Sequence, residues 1–417
     1  MLSRSTAEES FDENIPADLF SEEEYPPDMD TLEEFIQSYY LLLESNAYLD
    51  KYKFINYSKN ELNDPTGALV PFYRKLLELR SGLRDRVSIY QLGDSHIQSG
   101  YFPGTVRSSL QEHFGNAGRG LVFPLRLAGT NQPDDYKVSS GSGFGRDSSP
   151  KGISGYNLSM GSKASLQIST NNFFGIDSKF NSLSALTDAG AGELCVSIPD
   201  AQRMELQLGG YKYSSLSWEK PVSSASLSIE GESSNLYGLM LETRQPGLIY
   251  HSAGINGAGF YNLGDSSRLF EQLKLLNPDL IVISLGTNDA QGNYRNNVFE
   301  ANLSRFMKLL RTYCPDIPVV FTLPPDSHKR GKHNSDLARV EKVIMDYAGD
   351  NNCAWWELSK LMGGKNSVQK WRKEQMAAKD LLHYTPKGYM LQGYLFYQAL
   401  VKAYKEYSET PASTEEK

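Results

Sequence analysis

The chain has 417 residues, 40% of them hydrophobic, and a formal net charge of -8. This size is sufficient for one large core or two ordinary ones. The acidic balance argues against nucleic acid or an anionic membrane as the main partner, because neutralising phosphates requires clustered Lys and Arg. No apolar run approaches the roughly 18 residues of a membrane-spanning helix, so we expect no transmembrane segment. The three cysteines are far apart and without CxxC spacing, which indicates neither a zinc site nor a disulfide framework.

The N-terminal part combines an acidic stretch with two helical patterns. Residues up to about 35 are acidic and poor in large apolar side chains, and "MLSRSTAEES" lacks the apolar core of a signal peptide. The protein is therefore either cytoplasmic or begins here after a cleavage site. "TLEEFIQSYYLLLES" has helical spacing, with Thr31 as the expected N-cap and Glu34 as its capping-box partner. A second helix is predicted over "GALVPFYRKLLELRSG", directly before a strand over "RVSIYQL".

Short alternating runs dominate the middle of the chain. From about Tyr136 the sequence is rich in Gly and Ser, and it continues as "ASLQIST", "ELCVSIP", "MELQLGG", "ASLSIEG" and "LYGLMLET". Many short strands at this spacing predict a β-sandwich of roughly a hundred residues.

Strands and helices alternate again after about Leu248. The buried runs "GLIYHSAG", "LIVISLGTND" and "IPVVFTLPP" alternate with amphipathic helical segments, which predicts a parallel sheet covered by helices. The predicted organisation is an acidic N-terminal extension with a helix over 1–60, an α/β domain over 61–136 and 248–410, and a β-sandwich inserted over 137–247.

The first of four short stretches that could take part in catalysis is Gly93-Asp94-Ser95. It follows an apolar strand, and sites in open parallel sheets form at the carboxyl ends of strands. A nucleophilic serine needs a tight turn that exposes its hydroxyl, and a neighbouring glycine permits one. Taken alone, however, the pattern is more typical of a serine that caps the next helix.

Two further stretches could stabilise negative charge on a substrate. In "AGINGAGF", Gly257 is a candidate for donating its backbone N–H to an oxyanion, although the stretch could be an ordinary glycine-rich turn. After the most apolar strand, Asn288 could donate its side-chain amide in the same way, or it could form an Asx turn. The neighbouring Asp289 is expected to order this loop rather than to act on substrate.

The fourth stretch pairs Asp380 with His383. The carboxylate can hold the Nδ1–H of the histidine and leave Nε2 free to take a proton from a serine. Thr385 and Pro386 are predicted as the cap and first residue of the last helix, which would fix this loop. The alternative is an unrelated surface Asp and His.

Together the four stretches resemble the GDSL-type esterases, also called the SGNH hydrolase superfamily. That family has a Ser in a GDS block, a Gly in a second block, an Asn in a GxND block and a DxxH block near the C-terminus. The corresponding residues here are Ser95, Gly257, Asn288, and Asp380 with His383. The resemblance implies a three-layer α/β/α, flavodoxin-like fold with a parallel sheet.

The resemblance also implies a mechanism for this chain. Ser95 is expected to attack an ester, with His383 as general base and Asp380 orienting the imidazole. The backbone N–H groups of Ser95 and Gly257 and the Asn288 side chain are expected to form the oxyanion hole. No metal or cofactor is implied.

A narrower resemblance concerns the first block, "GDSHIQSGYFPGTVRSSLQEHFGNAGRGLVFP". It has His96 where the commoner form has Leu, and together with the inserted β-module it resembles the bacterial peptidoglycan O-acetylesterases, whose insertion resembles a carbohydrate-binding module. Asp94, His96 and Gln98 are candidates for the substrate pocket because they are close to Ser95 in sequence. His96 and Gln98 could instead face the following helix.

The other histidines are not expected to take part in catalysis. His113, His328 and His333 are outside the four blocks, and "HKRGKH" is predicted to be a solvated loop. His251 is expected to be a hydrogen-bonded interior residue of its strand.

Three aromatic residues of the inserted module have two possible roles. Tyr211, Tyr213 and Trp218 could stack on sugar rings, but packing in the sandwich core is the favoured interpretation.

The sequence as a whole predicts a serine esterase that removes O-acetyl groups from a glycan, with peptidoglycan as the first candidate. The alternatives are an acetylesterase acting on another polysaccharide such as xylan, a glycan O-acetyltransferase, or a non-catalytic glycan-binding protein. A glycan substrate of this kind would place the protein in the periplasm or outside the cell, with a trimmed N-terminus. The sequence does not indicate an oligomeric state.

Overall fold

The computed structural model describes residues 29–147, 151–188, 192–199, 204–208 and 213–410. Besides a 3₁₀ turn at Tyr57–Lys59, the helices in chain order are α1 Met29–Glu44, α2 Tyr48–Lys51, α3 Val70–Arg80, α4 Ser95–Gln98, α5 Tyr101–Phe114, α6 Phe260–Leu263, α7 Ser267–Leu276, α8 Thr287–Gln291, α9 Asn296–Tyr313, α10 Leu337–Asp350, α11 Leu358–Leu361, α12 Ser367–Lys373 and α13 Pro386–Glu409. The strands are β1 Leu62–Asn63, β2 Arg86–Gly93, β3 Gly120–Val122, β4 Tyr136–Asp147, β5 Asn157–Thr170, β6 Phe180–Thr187, β7 Gly192–Ser197, β8 Met204–Leu208, β9 Tyr213–Val222, β10 Ser224–Glu230, β11 Ser234–Glu242, β12 Gly247–Gly254, β13 Leu280–Ser284, β14 Val319–Thr322, β15 His328–Lys329, β16 Lys332–His333 and β17 Ala354–Trp356.

A six-stranded sheet in the order β1-β17-β14-β13-β2-β12 forms the centre of the α/β part. Five of its strands are parallel, and the short edge strand β1 pairs antiparallel with β17. The strand that precedes Ser95, β2, lies between β12 and β13. Its register brings Gly93 beside Gly254 on one side and Ser284 on the other, so three strand ends meet at one point of the sheet edge.

Two apolar cores lie on opposite faces of this sheet. Val87 and Ile89 of β2 belong to one core, together with side chains of α3, α5 and α13. Tyr90 and Leu92 belong to the other, together with side chains of α7, α9 and α10. Since successive strand residues point to opposite faces, this division gives the three-layer α/β/α arrangement that the sequence predicts.

The remaining long strands form one continuous antiparallel sheet. Its order is β8-β7-β10-β5-β11-β6-β9, with β4 paired to β5 and β3 paired to β11. The first part of β5 pairs with β11 and its later part with β10, so this strand links the two halves of the sheet. The end strands β8 and β9 lie next to each other, and the curved sheet encloses its own apolar core. This is the large antiparallel module expected beside the α/β part.

A buried charge cluster joins the α/β part to this second sheet. Asp135 accepts hydrogen bonds from Arg107 on α5 at 2.8 Å and from Arg119, which precedes β3, at 2.9 and 3.0 Å. All three residues are buried. Burial alone would raise the pKa of Asp135, but the two guanidinium groups outweigh it and lower that pKa.

Most predicted elements occur, with two differences. Thr31 lies inside α1, which already begins at Met29, so it is not the N-cap. The segment "HKRGKH" is not a solvated loop: β15 and β16 form a hairpin in which His328 is buried. As expected, Thr385 caps α13, and His251 is an interior residue that accepts the N–H of Leu121 at 3.1 Å. The predicted domain boundaries remain a prediction, and residues 1–28 lie outside the described residues.

Candidate active site

Ser95 lies at the carboxyl end of β2, where the strand turns into the short helix α4. The carboxylate of Asp94 caps this helix by accepting the N–H of His96 at 3.0 Å. A Cβ on Gly254 would lie 2.1 Å from the backbone N of Gln98, so only glycine lets the neighbouring strand approach α4 so closely. The serine is thereby held at the edge of the sheet.

The structure brings Ser95, His383 and Asp380 into one hydrogen-bonded line. Ser95 Oγ lies 3.1 Å from His383 Nε2, and His383 Nδ1 lies 2.7 Å from Asp380 Oδ2. The other carboxylate oxygen of Asp380 accepts the backbone N–H groups of Leu382 and His383, each at 2.9 Å. The cap formed by Thr385 then anchors this loop to α13. Nucleophile, base and orienting carboxylate therefore have the geometry of a catalytic triad.

Hydrogen bonding keeps Asp380 ionised. Its partial burial would raise the pKa, but the hydrogen bond and charge of His383 and the two backbone N–H groups outweigh that effect and lower the pKa to about 2. A carboxylate that is ionised throughout the neutral range can orient the imidazole and stabilise its protonated form.

Gly257 and Asn288, the two oxyanion-hole candidates, lie in neighbouring loops. Gly257 has a φ of +71°, a conformation that favours glycine, and no atom within 4 Å would obstruct a Cβ. Its carbonyl accepts the hydroxyl of Tyr261 at 3.0 Å, which fixes the loop. The side-chain amide of Asn288 donates to the carbonyl of Ala258 at 2.9 Å, so Asn288 is tied to the same loop.

Asp94 is a buried carboxyl between the serine loop and the Asn288 loop. It is 1% exposed, and its Oδ2 lies 3.3 Å from the amide nitrogen of Asn288. Burial raises the pKa of Asp94 to about 7, and the negative charge of Asp289 acts in the same direction. The N–H of His96 and the charge of His383 lower this pKa, but they do not outweigh burial. Burial also raises the pKa of Asp289 to about 6, and its carboxylate accepts the N–H of Phe260 at 3.2 Å. Asp289 thus holds the loop that follows Gly257.

His96 lies behind the triad histidine. It is 8% exposed, its Nδ1 is 3.0 Å from the hydroxyl of Tyr389, and its ring centre is 5.4 Å from that of His383. Burial is the main cause that lowers the pKa of His96 to about 3, and the charge of His383 lowers it further. The charge of Asp380 raises this pKa, but by less. His96 is therefore neutral at physiological pH and forms part of the wall that supports His383.

Gln98 connects three loops beneath the site. It is 2% exposed; its Nε2 donates to Thr130 Oγ1 at 2.6 Å and to Asn131 Oδ1 at 2.9 Å. Its Oε1 accepts the hydroxyl of Tyr156 at 2.9 Å and the backbone N–H of Asn256 at 2.8 Å. Gln98 thus fixes the residue immediately before Gly257 instead of lining an open pocket.

The sequence reasoning missed the partners of Gln98 and His96. Asn256 lies within the stretch "AGINGAGF" and Tyr389 lies three residues after Pro386, whereas Thr130 and Asn131 lie in the polar run "LAGTNQPDDY". That run was the available signal.

Of the aromatic candidates on the inserted module, Trp218 packs edge-to-face on Phe180 in the core.

The remaining aromatic candidates of the inserted module are Tyr211 and Tyr213. Tyr213 is half-buried and donates its hydroxyl to the carbonyl of Gln272 at 3.3 Å. Tyr211 lies outside the described residues. Within the same ranges there is no group of three or more His, Cys, Asp or Glu side chains that could hold a metal ion.

Comparison with known proteins matches part of the chain to a family model and most of it to a solved structure. Residues 230–391 match the model of the GDSL-like Lipase/Acylhydrolase family. The chain superposes on a solved peptidoglycan O-acetylesterase with a TM-score of 0.71 at 22% identity, covering 83% of this chain and 99% of that one. The chain is a carboxylic ester hydrolase with the SGNH fold. The family match of this SGNH hydrolase includes Gly257, Asn288, Asp380 and His383, whereas Ser95 precedes it.

Other similar structures overlap this SGNH hydrolase only in part. A lipase/acylhydrolase from Enterococcus faecalis has a TM-score of 0.30 at 20% identity, covering 38% of this chain and 77% of that one. A family two carbohydrate esterase from Cellvibrio japonicus has a TM-score of 0.26 at 12% identity, covering 65% of this chain and 96% of that one. No curated protein matches the chain. No helix in the described ranges has the length and apolar character needed to cross a membrane.

Proposed function

We propose that this SGNH hydrolase removes O-acetyl groups from a glycan, with peptidoglycan as the preferred substrate, through an acetyl-serine intermediate. The observation that carries the proposal is the continuous line of hydrogen bonds from Ser95 through His383 to Asp380. A serine so connected, and only partly buried at the sheet edge, has both an activating base and access for an ester.

The first step is acylation of Ser95. His383 Nε2 takes the hydroxyl proton while Oγ attacks the acetyl carbonyl, and Asp380 stabilises the resulting imidazolium. The same histidine then gives the proton to the departing sugar oxygen. In the second step a water, deprotonated by His383, attacks the acetyl group and releases acetate. The imidazolium returns its proton to Ser95.

The oxyanion of each tetrahedral intermediate would be bound by the N–H groups of Ser95 and Gly257 and by the amide of Asn288. That amide already donates to Ala258 at 2.9 Å and has a longer contact of 3.3 Å with Asp94. The hydrogen in the longer contact is the one that would turn to the oxyanion. One such donor is worth about 2.7–4 kcal/mol of barrier.

The choice of peptidoglycan as the glycan rests on the similarity of the overall fold to one solved structure. The solved structure that matches 83% of this chain is described as a peptidoglycan O-acetylesterase, and a match of that extent is longer than the α/β part alone. We propose that the module, residues 137–247, is an insertion in the hydrolase domain. A cell-wall substrate would place the protein in the periplasm or outside the cell.

The experiment is acetate release from O-acetylated peptidoglycan and from acetylated xylan, with wild type beside Ser95→Ala. Serine-dependent release from peptidoglycan supports the proposal, whereas release from xylan alone would retain the mechanism and change the substrate. Transfer of acetyl groups to an added acceptor glycan would indicate a transferase. No serine-dependent release from either glycan and no turnover of a simple acetate ester would favour a glycan-binding protein.

A further inference from the structure

The hairpin formed by β15 and β16 has a strained, exposed tip. His328 pairs with His333 and Lys329 with Lys332, which leaves Arg330 and Gly331 as a two-residue turn. Both have positive φ, +53° and +75°, as a type I′ turn requires. Asn-Gly is the sequence that suits this turn best, and arginine at its first position adopts the left-handed conformation at an energetic cost. The fold therefore maintains a guanidinium group where the turn itself favours asparagine.

One side of the hairpin is fixed to the loop that carries Asn288. The side chain of Gln291, at the end of α8, donates to the carbonyl of His328 at 2.9 Å. Lys329 Nζ donates to the carbonyls of Ala290 and Gly292 at 3.0 and 2.6 Å and is neutralised by Asp336 at 2.9 Å. Lys329 therefore has a structural role, and its ammonium group is already bound by protein groups.

The other side of the hairpin is fixed to the loop of the triad. The backbone N–H of His328 donates to the carbonyl of Leu381 at 2.8 Å. Leu381 lies between Asp380 and His383, so the base of the hairpin touches the catalytic loop. The ring of His328 also contacts Asn366 Oδ1 at 3.2 Å. The hairpin is therefore a rigid part of the active-site rim, bound to both loops that complete the site.

The tip carries unpaired positive charge. Arg330 and Lys332 are exposed, and in the described part of the chain neither forms an ion pair. Lys365, next to Asn366, is a third exposed cation beside the hairpin. The chain as a whole has a formal net charge of -8, so this positive rim contrasts with the rest of the molecule. A local patch of opposite sign attracts a ligand of complementary charge.

We propose that Arg330 and Lys332 bind a carboxylate of the glycan substrate, and so select an acetylated glycan that bears acidic substituents over a neutral one. This rests on the proposed function and assigns its specificity. Peptidoglycan carries carboxylates on its peptide chains, whereas the backbone of acetylated xylan has none. Arg330 is two residues from His328, whose N–H is bound to Leu381 of the catalytic loop, so at about 3.3 Å per residue the tip is within roughly 10 Å of that loop, a distance that a short substituent on the sugar can span.

The test compares O-acetylated peptidoglycan with the same material after its carboxylates have been converted to neutral methylamides. Arg330→Asn removes the charge and places a favourable residue in the turn, so folding should be retained. Lys332→Gln removes the second charge. Lys308→Gln is the matched control, because Lys308 is an exposed cation in the C-terminal half of α9, away from the carboxyl edge of the sheet. Acetate release gives KM and kcat, and pelleting with the glycan in the Ser95→Ala background gives binding without turnover.

The expected result is a rise in KM of about 5- to 20-fold for Arg330→Asn on native peptidoglycan, with a similar loss of pelleting. On the amidated glycan the same substitution should change KM less than 2-fold, and Lys308→Gln should resemble wild type on both. Equal effects on the two glycans, or no effect of Arg330→Asn and Lys332→Gln, would overturn the inference. If wild type released no acetate from any glycan, the proposed function would fail, and carboxylate-dependent pelleting would still decide the role of the hairpin.

Discussion

Replacing Gln98 tests how the oxyanion-hole loop is held in place. Gln98→Leu conserves the approximate volume but removes the acceptor of the Asn256 N–H (2.8 Å) and of the Tyr156 hydroxyl (2.9 Å). It also removes the donor to Thr130 Oγ1 and Asn131 Oδ1. The loops that surround the serine would lose their common anchor, although none of the triad hydrogen bonds involves this side chain.

The cost can be estimated from the groups left without partners. A buried polar group that loses its partner costs about 1–3 kcal/mol. Asn256 is exposed, so water can replace its lost acceptor, whereas Tyr156 is partly buried. We therefore expect a loss of about 2–4 kcal/mol in the free energy of unfolding. The N–H of Gly257 follows directly in the chain, and a misplaced oxyanion donor lowers kcat by up to about 100- to 1,000-fold. A fall of 10- to 100-fold is expected.

Gln98→Glu is the matched control. It keeps an acceptor for Asn256 and Tyr156 but replaces the donor that faces Asn131, so the Gly257 loop should be held better than in the leucine variant. The assays are thermal unfolding and turnover of a chromogenic acetate ester. If Gln98→Leu melted earlier but retained kcat within 2-fold of wild type, Gln98 would have no role in positioning the oxyanion hole.

Three further substitutions test other features. Asp135→Asn leaves the buried Arg107 and Arg119 uncompensated and should destabilise the fold by about 3–5 kcal/mol in chemical denaturation; a loss below 1 kcal/mol would contradict the cluster's role. Asn288→Ala should lower kcat for an acetate ester about 100-fold or more with little change in KM, and unchanged kcat would exclude it from the oxyanion hole. The raised pKa of Asp94, about 7, means that the native state retains a proton that the unfolded state loses near pH 4, so stability should fall as pH rises from 4 to 7. Asp94→Asn should flatten that slope by up to about 1.4 kcal/mol per pH unit in unfolding measured at several pH values, and an unchanged slope would place the titration elsewhere.

The fold was largely predictable because its signals are local. Buried strands such as β13 are continuous apolar runs, and the cap at Thr385 with Pro386 has a direct sequence signature. The GDS block predicts Ser95 directly after the strand β2, and parallel strands present their carboxyl ends at one edge of the sheet.

The residues that depend on long-range contacts were not predictable. Gln98 and Thr130 are 32 residues apart, and only the folded chain shows that the glutamine is an anchor and not a pocket residue. The almost entirely polar run "HKRGKH" predicts a solvated loop, yet His328 within it is buried. Its burial comes from contacts with Leu381 and Asn366, which the local sequence does not encode.

The proposed mechanism requires that Ser95 carry the acetyl group during turnover. The most direct measurement is mass spectrometry of protein that has been acid-quenched during turnover of an acetate ester, with His383→Ala and Ser95→Ala as comparisons. We expect one acetyl adduct on the peptide that contains Ser95, no adduct in Ser95→Ala, and much slower formation in His383→Ala. Full turnover without an adduct at Ser95, or an adduct that persists in Ser95→Ala, would contradict it.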